Sequence, residues 1–182
     1  MAKVTRLVFD KKLQEEPLFE NIEILQEGSG EESPYRLLQI RGTASRGGVV
    51  NGNNRLYPVE TLTKAVHEAQ AELDKGKLLG ELDHPDFPRG GRLKTAAIKF
   101  TKLWMEGDRM VFEGDVLPTS SGHELHALLI SGVGVGMSTR GQGSRQAIEM
   151  GREMVTVIQD DFRLKGIDAV LEESNEAGRI ES

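Results

Sequence analysis

Ala96, Ile98 and Phe100 alternate with Ala97, Lys99 and Thr101, the two-residue period of a half-buried strand. Glu106-Gly107-Asp108 turns the chain, and Met110, Phe112 and Val116 bring it back, which predicts a β-hairpin. The period changes at Val59, Leu62, Val66, Ala69 and Leu73, a helical stripe opened by Pro58 and ended near Gly76. Lys64 and Glu68 flank that stripe, so His67 is expected at the surface. Thr119-Ser120-Ser121 caps a second helix that runs to about Ile130, with Leu125, Leu128 and Leu129 inward and Ser131-Gly132 at its end. Further strands are read at Val4–Phe9, at Tyr35–Ala44, at Lys77-Leu78-Leu79 and in the Gly-rich stretch around Ser138. Glu153–Ile158 and Phe162–Val170 read as a final strand pair joined at Asp160-Asp161. Together these elements predict an α+β fold: a mostly antiparallel, barrel-like sheet with a few flanking helices.

The polar ends divide the chain. Residues 1–34 read as an acidic, loosely ordered arm, because Asp10 to Glu32 is rich in Glu, Gln and Gly and keeps no period. Residues 35–171 hold the core, and 172–182 form a polar tail. A length of 182 residues suits one domain with a real core. The formal charge of −6 argues against a protein that coats nucleic acid, which needs a basic surface. No apolar run is long enough for a membrane span, and Met1-Ala2-Lys3-Val4 does not begin a signal peptide, so a cytoplasmic protein is expected. There is no cysteine, so a nucleophile must be oxygen.

Two stretches carry the chemistry: Gly80-Glu81-Leu82-Asp83-His84-Pro85 and Gly134-Val135-Gly136-Met137-Ser138-Thr139-Arg140-Gly141. A serine hydroxyl attacks only when a base takes its proton, and histidine is the side chain suited to that near neutral pH. Arg140 lies on the same side of an extended segment as Ser138. A third group must orient the histidine. Asp168 is preferred, as the only charge in Gly166-Ile167-Asp168-Ala169-Val170, where a carboxylate needs a partner to stay ionised. Asp161 is the reserve, although a turn explains it more simply. Other readings fit less well. Asp83, His84 and Asp86 could ligate a metal, but two ligands are missing. His123-Glu124-Leu125-His126 is one residue short of the zinc motif with histidines at i and i+4. Gly132 to Gly136 leads into a serine, with none of the lysine of a phosphate loop. Asn51-Gly52 is turn chemistry. No metal or cofactor is expected.

With Asn51-Gly52-Asn53-Asn54-Arg55-Leu56-Tyr57-Pro58, the two stretches resemble the prohead core proteases of T4-like tailed bacteriophages, whose fold is similar to that of the herpesvirus assembly proteases. The resemblance runs from roughly Tyr35 to Val170. It implies that Ser138 is the nucleophile, His84 the base and Arg140 part of the site. Backbone amides around Gly136, Thr139 and Gly141, with Arg140, would stabilise the oxyanion. The herpesvirus proteases use a second histidine as third member; none follows His126 here, so an acid must replace it. Leu13-Gln14-Glu15, Leu18-Phe19-Glu20 and Leu25-Gln26-Glu27 are triplets that a Leu- and Glu-rich chain makes by chance; the family's cutting after Glu implies the other reading, that these and Leu171-Glu172-Glu173 are self-cleavage sites. Arg140 and Arg145 are candidates for a basic pocket that would select Glu. The implied partners are scaffold and core proteins and the major capsid protein, inside the prohead in the host cytoplasm; self-association stays open. The rivals are an inactive head-assembly protein of the same fold and a metal-dependent hydrolase.

Overall fold

The computed structural model describes residues 22–27, 35–84 and 92–171. Among them the order is β1 (Glu23–Glu27), β2 (Leu38–Arg46), β3 (Arg55–Leu56), α1 (Val59–Asp74), β4 (Leu79–Glu81), β5 (Ala96–Glu106), β6 (Arg109–Val116), α2 (Ser120–Ile130), β7 (Gly136–Gln142), β8 (Arg145–Met150), β9 (Glu153–Ile158) and β10 (Arg163–Val170).

The β5–β6 hairpin forms where the alternation places it, with Gly107 at φ 61° in the turn. Its inward residues Ile98, Phe100, Phe112 and Val116 meet Leu38 and Ile40 of β2, all fully buried. Phe100 and Phe112 pack edge to face with ring centroids 5.2 Å apart. Helix α1 lays Leu62, Ala65, Val66 and Ala69 on this sheet. Its end is fixed as the sequence suggests: Gly76 takes φ 65°, its N–H reaches the Leu73 carbonyl at 2.8 Å, and Lys77 N–H reaches Glu72 at 2.8 Å. These paired bonds satisfy the last carbonyls of the helix.

One antiparallel sheet runs in the order β1-β2-β6-β5-β4, and a second pairs β10 with β7. A parallel bridge from Leu82 to Ala169 continues β4 into β10, and β7 packs back against β2. The sheet therefore curls on itself, mostly antiparallel, with two flanking helices among the described residues, and the α+β reading holds. Three strands, β3-β9-β8, make a smaller layer.

The structure departs from the sequence reading at four points. Part of the expected arm, Glu23–Glu27, is an edge strand paired with β2, so the sheet begins before residue 35. An edge strand is held by backbone bonds, and its exposed Ile24 and Leu25 leave no period to read. The last two strands are not partners: β9 pairs with β8 and, in parallel, with β3, whereas β10 pairs with β7. Strand β8 is almost wholly exposed, which hid it from a reading based on burial. Leu128 is half-exposed, so Leu125 alone anchors α2 fully. Val4–Phe9, the first two Leu-x-Glu triplets and 172–182 lie outside the described residues.

Candidate active site

Strands β7 and β10 run antiparallel with Ser138 opposite Asp168, Thr139 opposite Ile167 and Arg140 opposite Gly166. Side chains alternate across a strand, so one face carries Ser138, Arg140 and Asp168. The other carries Met137, Ile167 and Ala169 into the core. The same two-residue period that builds the core thus collects the polar groups. Gly166 is small for a reason: a Cβ there would lie 2.5 Å from Arg140 Nη2 and 2.9 Å from the Leu79 carbonyl oxygen.

The histidine comes from a third segment. Past β4, the Asp83 N–H donates to the Ala169 carbonyl at 2.8 Å, tying the approach to β10. Asp83 has φ 57°, a left-handed conformation that Asp tolerates and that turns the next residue toward the sheet. His84 then places Nδ1 2.8 Å from Asp168 Oδ2 and Nε2 2.9 Å from Ser138 Oγ. Asp83→Val, β-branched at positive φ, is expected to lose about 1–2 kcal/mol of stability. Asp83→Gly should lose almost none, as chemical denaturation of both variants will reveal.

Asp168 is fully buried and receives four donors. Oδ2 accepts from His84 and from Arg140 Nε at 2.7 Å; Oδ1 accepts from Arg140 Nη2 at 2.9 Å and from the Glu81 amide at 3.1 Å. Burial pushes its carboxyl up, but the hydrogen bonds from Arg140 and His84, with the Arg140 charge, hold it below the usual carboxylate range. An ionised Asp168 can only accept, so the proton on Nδ1 belongs to His84. In the neutral imidazole Nε2 is then bare and faces the serine hydroxyl, the tautomer a general base requires.

Arg140 is itself buried, with its side chain 4% exposed, and Nη2 also lies 3.5 Å from Glu81 Oε1. Burial pulls its proton affinity down, but Asp168 and Glu81 outweigh that and raise it above the ordinary value. The Thr95 hydroxyl donates to Glu81 Oε2. Methionine at Arg140 would strand two buried carboxylates, at a cost of about 3–5 kcal/mol. Lysine should recover only part of this, since it lacks the two-pronged fork that matches Asp168. Urea melts of the two variants will measure the difference.

A model of the prohead core protein serine protease family matches residues 10–181. The chain belongs to this family. Over 140 residues it is 34% identical to the prohead core protein protease of Enterobacteria phage T4, a match covering 73% of this chain and 63% of that protein. The fold is similar to that of the bacteriophage T4 capsid assembly protease, gp21, with a TM-score of 0.70 and 28% identity over 85% of this chain and 93% of the solved one.

Within this family member, Ser138, His84 and Asp168 come together as the sequence suggests, although they derive from three distant segments. The other expected site residues sit differently. The Arg140 guanidinium bonds both oxygens of Asp168 and lies 3.5 Å from Glu81 Oε1. Thr139 points to the opposite face, paired with Ile167 of β10. Gly141 is also a packing residue: a Cβ would lie 2.3 Å from the Phe162 ring. Gly136 stays on the site face, opposite Val170 and two residues before Ser138. Asp161, the reserve acid, is exposed in a turn, where bonds from the Ser144 hydroxyl and amide at 2.6 and 2.7 Å hold its carboxyl below the usual range.

Glu81 and Thr95 were not legible as site residues. A buried glutamate directly after Gly80 in an apolar strand was the available signal. Both ring nitrogens of His84 are engaged, which argues against its serving as a metal ligand with Asp83. Among the described residues no cluster of three or more His, Asp or Glu side chains could hold a metal ion.

Proposed function

We propose that this chain is a serine endopeptidase of phage head maturation, with Ser138 as nucleophile, His84 as general base and acid, and Asp168 as the group that orients the ring. The observation that carries this reading is the unbroken hydrogen-bonded line from Ser138 Oγ through His84 to Asp168. Ser138 Oγ attacks a peptide carbonyl while Nε2 takes its proton. The tetrahedral intermediate collapses as the imidazolium gives that proton to the leaving amine, and water repeats the sequence to free the enzyme. His84, with its side chain 42% exposed, can meet both the leaving group and the incoming water. Among the described residues no strand pairs with the second edge of β7, so backbone N–H groups on that edge beside Gly136 and Ser138 are the donors for the oxyanion.

The substrates are scaffold and capsid proteins of the prohead, cut after Glu in Leu-x-Glu sequences, and the chain cuts itself at the same kind of site. Exposed Arg145 is the basic residue suited to a substrate glutamate, because Arg140 is committed to Asp168. Separation of Ser138 and His84 would have favoured the inactive-protein reading, and a 2.9 Å contact does not.

The test joins a peptide containing Leu-Gln-Glu followed by Gly with a serine-directed phosphonate. The expected products are a cut after Glu, found by mass spectrometry, and a covalent label on Ser138. Cleavage that survives full labelling of Ser138 would reject the nucleophile. Cleavage at residues other than Glu would reject the specificity while leaving the chemistry.

A further inference from the structure

Glu81 touches the proposed machinery twice and has no part in the proton transfers described above. Its amide donates to Asp168 Oδ1 at 3.1 Å, and its carboxylate lies 3.5 Å from Arg140 Nη2. It stands three residues before His84 in the segment that delivers the base. The three charged side chains are almost sealed from water: 4% exposure for Glu81, 4% for Arg140 and none for Asp168.

We propose that Glu81 is a positioning residue: it offsets the charge of Arg140 so that the charge of Asp168 remains available to His84. The proposal rests on reading Ser138, His84 and Asp168 as the catalytic groups. Arg140 grips both oxygens of Asp168, and a carboxylate neutralised in this way would stabilise an imidazolium poorly. A second carboxylate behind the guanidinium restores the balance. Among the described residues, two carboxylates and one guanidinium leave a single negative charge in a water-poor cluster, and protonated His84 cancels it. That proton arrives when Ser138 attacks, so the cluster favours the state in which charge has developed. Thr95 pins the far oxygen of Glu81 and keeps the carboxylate turned to this duty. Among the described residues, the charged groups grouped about His84 are Asp168 from β10, Arg140 from β7 and Glu81 from β4, with Asp83 preceding it in the chain.

Glu81→Gln keeps the shape and the backbone amide and removes one negative charge. Loss of a nearby negative charge disfavours imidazolium, so proton affinity at His84 should fall about tenfold. The acid limb of kcat/KM against pH then moves to lower pH while the plateau drops. Glu81→Asp, which keeps the charge, should return the limb toward its wild-type position. The same midpoint is read without turnover from the His84 imidazole C–H signals by NMR in a Ser138→Ala background, with and without Glu81→Gln. A purely structural Glu81 would lower the plateau and the melting temperature and leave both midpoints in place, and that result overturns the proposal. If Glu81→Gln does not fold, Thr95→Val keeps the charge but unpins it; a smaller shift in the same direction is expected, and no shift counts against the proposal. Were cleavage to prove independent of Ser138, the functional reading would fail separately, and the NMR midpoint would still report whether Glu81 acts on His84.

Discussion

Alanine at Ser138 or at His84 is expected to lower kcat for peptide cleavage by about 10⁶-fold, with the double variant no worse than either single one. On the proposed reading the two side chains act as one unit across a 2.9 Å contact. Without the hydroxyl nothing receives the acyl group, and without the imidazole the hydroxyl keeps its proton. Removing the second partner therefore removes nothing further. The folds should survive, since Ser138 is small and the His84 side chain is 42% exposed. Single-turnover assays on purified, folded variants make the measurement. A loss of less than about tenfold in either variant would show that the chemistry lies elsewhere.

Asparagine at Asp168 should lower kcat by about 10⁴-fold while keeping the side-chain shape. The reason lies in the four N–H donors aimed at the carboxylate: two reach Oδ2 and two reach Oδ1. Whichever way an asparagine amide is turned, its NH₂ faces donors. Facing His84, it forces Nδ1 to accept, which puts the ring proton on Nε2 and aims it at Ser138, the wrong tautomer for a base. Facing Glu81, it sets the amide donor against the NH₂ and loosens the β4–β10 junction. Stability should respond to pH as well. The folded-state carboxyl is held below its ordinary value, so ionised Asp168 contributes stability at pH above its unfolded pKa. That contribution is lost as pH falls through the lower, folded-state pKa. Wild type should therefore lose more stability than Asp168→Asn in acid melts between about pH 5 and pH 2. Equal losses would mean that Asp168 is not held ionised by Arg140 and His84.

Residue patterns made parts of this molecule readable and left others silent. The β5–β6 hairpin and α1 could be placed because their apolar periods were complete and their ends carried Gly107, Pro58 and Gly76. Asp168 stood out as a lone charge among apolar residues, and burial did require a partner for it. His84, the partner the sequence suggests, is there, and Arg140 as a second partner was harder to read. Spacing put Arg140 on the face of Ser138 correctly, but a face is not a direction, and the long side chain reaches past the nucleophile to the acid. Thr139 and Gly141, adjacent to site residues in the chain, belong to the core face by the same alternation. The pairing of β10 with β7 instead of β9 is set by which edges meet in three dimensions, and strand composition does not encode it. Strands β1 and β8 are held by backbone bonds and carry exposed side chains, so no apolar pattern announces them. Glu81 escaped notice because its amide does as much as its carboxylate, and amides are the same in every residue.

The register that sets Ser138 opposite Asp168 also constrains when the site can exist during synthesis. The segment bearing His84 leaves the ribosome first, the nucleophile strand follows, and the acid comes on β10, the last described strand. Until that strand has emerged and zipped onto β7, the imidazole has neither its anchor nor the Ala169 carbonyl that holds Asp83. A nascent chain thus carries a histidine and a serine with nothing to align them, and competence appears only when the fold closes. On the proposed reading, a growing chain carries no aligned site until β10 is in place.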